Sequence, residues 1–198
     1  NLASVGEHTS IAVAPDGAVH VAYYDTSSDD LKHAWRAASG GTWNLSTVDA
    51  TGQVGYYTSI AVDASGSVHV AYRDVTNTSL KAAVRSTTGL WRITTVDGGS
   101  NSRGSHTSLA IDPAGGVHVG SWDDTVFVDP ETGMITGYVR DPRYSYRNPT
   151  TESWSTVTVD YRDDVGEYTG IAFGPDGTVH LVYYDTTGDD LRHAWRAP

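Results

Sequence analysis

The sequence is poor in cysteine, in methionine and in positive charge, and each shortage narrows what the chain can be. It has no cysteine and one methionine in 198 residues, so disulfides, thiolate metal sites and cysteine nucleophiles are excluded. It has 13 Lys and Arg against 24 Asp and Glu, which gives a formal net charge of −11 at pH 7. Such a charge repels phosphate backbones and anionic headgroups, so we expect neither nucleic acid nor a membrane as a partner.

Long apolar segments and helical periodicity are also lacking. No apolar run approaches the roughly 20 residues of a membrane-spanning helix, and no segment has the 3.6-residue period of an amphipathic helix. The chain is long enough for one buried core without needing a second domain. Its abundant Gly, Thr, Ser, Tyr and Trp are typical of secreted bacterial β-proteins, so we expect an extracellular location.

What the chain does contain is a repeat. A Thr-Ser-Ile-Ala-Val pattern, with small variations, starts at Thr9, Thr58, Thr107 and Thr169, at spacings of 49, 49 and 62 residues. A glycine-containing turn and a Val-His-Val or Val-His-Leu segment follow each copy. The repeat divides the chain into units of about 5–53, 54–102, 103–163 and 164–198. Extra residues in the third unit predict an enlarged hairpin that turns at 129–133.

Each unit predicts four short strands joined by turns, which is the pattern of a propeller blade. In the first unit these strands lie near residues 9–13, 19–24, 31–36 and 43–48. The fourth unit has residues for only three. We therefore predict an all-β fold, a β-propeller of about four four-stranded blades in which the last blade lacks its outer strand within this chain. Its unpaired strand edge predicts self-association or pairing with additional blades.

The Thr-Ser-Ile-Ala, Val-His-Val and Tyr-Tyr-Asp elements cover nearly the whole chain, and the unit resembles the sialidase-like, BNR-type propeller repeats of secreted bacterial proteins. That family carries Asp-box turns of the form Ser-x-Asp-x-Gly-x-Thr-Trp. Only 40–43 (Gly-Gly-Thr-Trp) matches here, and Ala38 stands where the Asp is expected. The chain has one Arg in each third strand (Arg36, Arg85, Arg140, Arg196) and lacks the family's arginine triad and Tyr/Glu nucleophile pair, which argues against sialidase activity.

A weaker similarity links the chain to bacterial propeller lectins, whose blades also show a Leu-x-His-x-Trp strand. The matching segments here are 31–35 and 191–195. The resemblance implies a carbohydrate ligand. Stacking on aromatic faces offers a sugar platform at His33 and His193, with Trp35 and Trp195, but we expect these side chains to pack in the core.

Two sets of recurrent residues form the candidate ligand site. One set opens the first strand of each unit: His8, Tyr57, His106 and Tyr168. The other ends the second strand: Asp25, Asp74, Asp123 and Asp185, preceded by Tyr24, Arg73, Trp122 and Tyr184. Propeller topology places both sets on one face, and a four-bladed ring would set the two His and the two Tyr across the channel from each other. Such a cup could hydrogen-bond sugar hydroxyls or hold a cation, whereas the alternative is that each Asp caps its own loop.

Two further patterns suggest metal sites. The Val-His histidines occur once in each unit (His20, His69, His118, His180), and we expect them to be structural. The acidic hairpins 25–30 and 185–190 carry several oxygen donors, as calcium loops do, without the spacing of an EF-hand. We expect no cofactor, and calcium is the one candidate that the sequence offers.

Three functions remain open. The leading prediction is a non-enzymatic, lectin-like module that binds carbohydrate, because aromatic rings and polar groups together suit sugar recognition. The second is a glycoside hydrolase or a fragment of one, for which carboxylate pairs such as Asp123-Asp124 are available. The third is a structural repeat that assembles through its edge strands without a small ligand. No nucleophile elbow, zinc-binding helix, phosphate loop or dinucleotide-binding glycine motif is present.

Overall fold

The computed structural model describes residues 5–99, 102–162 and 164–197. Fifteen strands form four antiparallel sheets there, in which each strand pairs with the next one along the chain. In these three ranges no helix has the length and apolarity needed to cross a membrane. The protein is an all-β propeller, and each sheet is one blade.

The strands follow the repeat. Blade 1 contains β1 (Val5–Val13), β2 (Val19–Asp25), β3 (Asp30–Arg36) and β4 (Asn44–Asp49), and blade 2 contains β5 (Val54–Val62), β6 (Val68–Asp74), β7 (Ser79–Arg85) and β8 (Trp91–Asp97). Blade 3 contains β9 (Ser102–Ile111), β10 (Val117–Val128), β11 (Ile135–Arg147) and β12 (Trp154–Thr158). Blade 4 contains β13 (Val165–Phe173), β14 (Val179–Asp185) and β15 (Asp190–Arg196). The fourth blade is three-stranded, as the sequence predicts.

Short turns set the register of each blade. Between β1 and β2 the Asp16 carboxylate accepts the Ala18 N–H at 2.9 Å, and Gly17 takes a φ of +82° that a residue with a Cβ rarely adopts. The extra residues of the third unit extend β10 and β11 to 12 and 13 residues. Their hairpin turns where Asp129 accepts the N–H groups of Glu131 and Thr132, at the predicted place.

The apolar core lies between the blades. Leu31 of blade 1 is fully buried against Ile60 and Tyr72 of blade 2, and Leu80 of blade 2 is buried against Leu109 of blade 3. A smaller cluster around Leu181 packs blade 4 onto blade 3. At each junction, one face of a blade therefore packs against the opposite face of the next blade.

The four blades form an open arc. The inner strands pack in the order β1, β5, β9 and β13, but within the described ranges no comparable packing joins β13 back to β1. The four blades therefore do not close into a ring within the described residues. Two blade faces consequently remain exposed, one at each end of the arc.

Candidate functional site

The four residues that open the inner strands share a strained backbone. His8, Tyr57, His106 and Tyr168 have φ values of 50°, 51°, 47° and 54°, which are unusual for bulky side chains. The pairing of β1 with β2 shifts between Glu7 and Ser10, so a β-bulge lies there. Bulges redirect side chains, and backbone strain of this kind is concentrated at functional sites.

Contacts between blades hold these bulges in place. The Thr58 hydroxyl donates to the carbonyl of His8, the Thr107 hydroxyl to that of Tyr57, and the Thr169 hydroxyl to that of His106. Each threonine therefore fixes the strained residue of the blade before it. The local sequence Gly-x-(His or Tyr)-Thr encodes this bulge, because the glycine two residues before the His or Tyr also has a positive φ in every blade.

The four rings form one continuous row across the blades. Ring centroids are 4.8 Å apart for His8 and Tyr57, 4.3 Å for Tyr57 and His106, and 4.7 Å for His106 and Tyr168. The expected square with like rings on its diagonals does not form, because the arc is open. As far as the structure describes the chain, no ring contact closes the row from Tyr168 to His8.

This ring row lines an open cavity of about 300 Å³ together with the threonine that follows each ring. The cavity walls are His8, Thr9, Tyr57, Thr58, His106, Thr107, Tyr168 and Thr169. Every one of these side chains is aromatic or hydroxylated, and none is a carboxylate. Tyr168, at the end of the row, is 66% exposed.

The two imidazoles of the ring row are neutral at pH 7. Burial lowers the pKa of His8, although Glu7 opposes the shift. Burial also lowers the pKa of His106, and the nearby His8 and Arg73 lower it further. A neutral imidazole offers one hydrogen-bond donor and one acceptor, which is what a hydroxyl group needs.

None of the four residues that precede the aspartates of the second strands (Tyr24, Arg73, Trp122 and Tyr184) lines the cavity. Tyr24 is buried with its ring 6.3 Å from that of His8, and its pKa is raised chiefly by burial. Trp122 is buried 5.7 Å from the His106 ring. Arg73 donates to the Ser105 hydroxyl at 2.6 Å, and Tyr184 donates to Asp189 at 2.7 Å. Tyr24 and Trp122 therefore support the ring row from the side.

The four aspartates take a different place from the one expected for ligand contacts. Asp74 accepts the Asn77 N–H at 2.9 Å and pairs with Lys81 at 2.6 Å. The other three likewise cap loops or form ion pairs: Asp25 with Ser27, Asp123 with Arg103, and Asp185 with Thr187 and Arg192. None of them lines the cavity. Their geometry corresponds to the loop-capping alternative.

The Val-His histidines bond to neighbouring side chains. His69 and His118 each bond through Nε2 to an aspartate at 3.0 Å. His20 bonds to His33, and His180 to His193, also at 3.0 Å. These contacts suit the structural role expected of them. In the part of the chain that the structure describes, no three His, Asp or Glu side chains are grouped to hold a metal ion.

Two features of the site were missed at the level of sequence. The ring centroid of Tyr56 lies 4.7 Å from that of His8 and 4.4 Å from that of Tyr24. These contacts join blades 1 and 2 beside the cavity. The strained φ at each ring was not predicted either. The regular placement of glycine two residues before each ring was the available signal, since glycine tolerates the first positive φ of the bulge.

No family model and no curated protein matches this sequence. Solved structures do match. A protein of unknown function from Dyadobacter fermentans has a TM-score of 0.64 at 12% identity, over 97% of this chain and 65% of its own. The Hadza microbial sialidase Hz136 has a TM-score of 0.66 at 14% identity, over 98% of this chain and 45% of the sialidase. An α-L-arabinofuranosidase, arb93a, from Fusarium graminearum, solved as a mutant with an iminosugar inhibitor, has a TM-score of 0.63 at 13% identity, over 96% and 61%.

These matches show a shared propeller fold. This chain spans 45% to 65% of the length of the three proteins. Fold alone does not carry function, so the ring row must be interpreted from its own chemistry.

Proposed function

We propose that this chain is a non-enzymatic propeller module that binds carbohydrate in the cavity of the ring row. The observation that carries the proposal is the row itself. Four blades each hold one aromatic ring at a strained bulge, and the four rings line one cavity. Strained backbone of this kind clusters at binding and active sites, and here it recurs at four side chains that line one cavity.

The cavity offers the two kinds of contact that a sugar needs. Aromatic faces pack against the apolar C–H faces of pyranose rings. Phenol, imidazole and threonine hydroxyl groups supply donors and acceptors for sugar hydroxyls. The neutral state of His8 and His106 adds an acceptor at each ring, because a charged imidazole only donates.

The chemistry of the cavity supports binding over hydrolysis. Most glycoside hydrolases place two carboxyl groups beside the scissile bond. None of the eight residues that line this cavity is Asp or Glu. The sialidase and the arabinofuranosidase that share the fold keep a glycoside hydrolase as the second candidate. That candidate predicts turnover of a chromogenic glycoside, which the binding module does not.

The first experiment is a glycan-array screen of the purified chain, with added calcium and again with a chelator. We expect saturable binding to a defined sugar class. Loss of binding in the chelator would assign calcium to the site, whereas unchanged binding would exclude it. Absence of binding to any glycan in both conditions would contradict the proposal.

A pair of variants then locates the site. Tyr57→Ala removes the ring at the middle of the row, and we expect its affinity for the selected glycan to fall at least about tenfold, or about 1.4 kcal/mol. Tyr161 is 81% exposed and does not line the cavity, so Tyr161→Ala is the matched control and should bind as the unaltered chain does. Equal affinity of both variants would place the ligand elsewhere.

A further inference from the structure

The two end faces of the arc are complementary, and the chain itself contains the contact that would join them. β1 reads VGEHTSIAV and β5 reads VGYYTSIAV, so they are identical at seven of nine positions. β15 reads DLRHAWR and β3 reads DLKHAWR, identical at six of seven positions. Because β3 packs on β5 within the chain, nearly the same two surfaces stand free at opposite ends of the arc.

A glycine in each inner strand marks where the preceding blade fits. A Cβ on Gly55 would lie 3.0 Å from the Leu31 Cα, and one on Gly104 would lie 2.9 Å from the Leu80 Cα. A Cβ on Gly166 would likewise lie 2.6 Å from the backbone nitrogen of Pro142. Gly6 is the counterpart in β1, and its Cβ would meet nothing within 4 Å among the described residues. The pocket that receives a leucine in the middle of the arc is empty at its first blade.

The leucine that fits this pocket is exposed at the other end. Leu31 is fully buried at 0% exposure, but its equivalent Leu191 is 76% exposed. Ile60 is 6% exposed, but its equivalent Ile11 is 66% exposed. Trp195 also lies on the free face of blade 4 and is exposed. Exposed apolar faces of this kind indicate an interaction surface.

We propose that the Leu191 face of one copy packs against the Gly6 and Ile11 face of a second copy, head to tail. Leu191 and Trp195 of the first copy cover Ile11 of the second, as Leu31 and its neighbours cover Ile60 inside the chain. This contact is heterologous, so it extends into an open assembly or closes into a ring according to the rotation at each junction. It stands independently of the carbohydrate proposal, because it uses neither the ring row nor its cavity.

The proposed junction between two copies lacks one hydrogen bond that the blade junctions within the chain have. Inside the chain the N–H groups of Ile60, Leu109 and Ile171 donate to Ser10, Ser59 and Ser108 of the preceding blade at 3.0–3.1 Å. Blade 4 has Gly170 at the serine position, so the N–H of Ile11 finds no hydroxyl there. The junction between copies is therefore expected to be weaker than the junctions within the chain.

The test is analytical ultracentrifugation of two single variants, separately and mixed. Leu191→Asp damages only one end face and Ile11→Asp only the other. We expect the unaltered chain to associate with rising concentration, each variant alone to be monomeric, and the mixture to form a one-to-one dimer. The dimer forms because the mixture contains one intact copy of each face. A monomeric unaltered chain, or a mixture that stays monomeric, overturns the proposal.

Two further variants make the test specific. Leu90 is 74% exposed in blade 2 and lies on neither end face, so Leu90→Asp should associate as the unaltered chain does. A Cβ at position 170 would lie 3.1 Å from Val182 Cγ2, whereas the equivalent serines of blades 1 and 2 pair with alanine. The double variant Gly170→Ser/Val182→Ala therefore supplies the missing acceptor, and we expect it to associate about fivefold more tightly than Val182→Ala, the effect of one hydrogen bond. Dissociation by Leu90→Asp, or no tightening by the double variant, contradicts this alignment of the two copies.

Discussion

The middle of the arc and its two ends carry nearly the same sequence in different surroundings. Leu31 and Leu191 occupy the same place in almost identical strands, yet one is buried under the next blade and the other faces solvent. The same contrast separates Ile60 from Ile11. A blade of this propeller therefore does not bury its own apolar residues, because its neighbour does so. Matched substitutions in the middle and at the ends can measure what that neighbour contributes.

Truncation of the leucine should show the largest difference. Leu31→Ala creates a cavity in a packed interface and should lower the free energy of unfolding by about 2–5 kcal/mol. Leu191→Ala, measured where the chain is monomeric, should change it by less than about 0.5 kcal/mol. Urea unfolding followed by fluorescence gives both values. Equal losses for the two variants would mean that the end face is covered in the monomer.

Substitution of a glycine by alanine should give the next largest difference in the free energy of unfolding between the middle of the arc and its end. Gly55 and Gly6 both have positive φ, at +107° and +95°, so alanine at either position carries the same kind of backbone strain. Only the alanine at position 55 also meets Leu31, and we expect it to cost about 1–3 kcal/mol more. The comparison is made by urea unfolding in a Leu191→Asp background, which removes association. No difference between the two variants would contradict the close approach of blades 1 and 2.

Low pH should destabilise the fold in part through the buried imidazole of His33 in blade 1. Burial lowers the pKa of His33 to about 3, with smaller effects of His20 and Arg85. Because protonation is then favoured in the unfolded chain, His33 favours folding above pH 6.5 and loses this contribution as the pH falls below it. We expect a loss of about 2 kcal/mol between pH 6.5 and 5. His33→Gln should reduce the pH dependence of stability by this amount and leave the part contributed by other buried imidazoles such as His69 and His118, whose pKa values burial also lowers. His193→Gln on the exposed face should leave the pH dependence unchanged.

The smallest effect belongs to the threonines that hold the strained rings. Thr58 donates to the carbonyl of His8 from the next blade, and Thr58→Val should lower the free energy of unfolding by about 1 kcal/mol. Thr9 has no preceding blade among the described residues, so Thr9→Val should be nearly neutral in the monomer. Thermal unfolding of the two variants checks this. A loss at Thr9 as large as that at Thr58 would be evidence against the role given to this bond.

The sequence alone determined the blades, because turns and alternating apolar residues are local and recur in each unit. It also identified the ring residues His8, Tyr57, His106 and Tyr168, because they recur at one place in the repeat. Their strained bulges and the cavity that they line depend on how inner strands of different blades approach one another. Asp74 and its equivalents were indistinguishable from ligand residues in the sequence, since a capping carboxylate and a binding carboxylate are the same residue type.

Only the tertiary structure decided that the arc stays open and that nearly identical strands are buried in the middle of the arc and exposed at its ends. Leu31 and Leu191 have the same chemistry and nearly the same neighbours along the chain, so no local pattern separates them. Burial is a property of what packs against a face, and that partner lies in another repeat unit. The sequence by itself determined what each blade is, and the position of a blade in the arc determined which of its faces remain available for a partner.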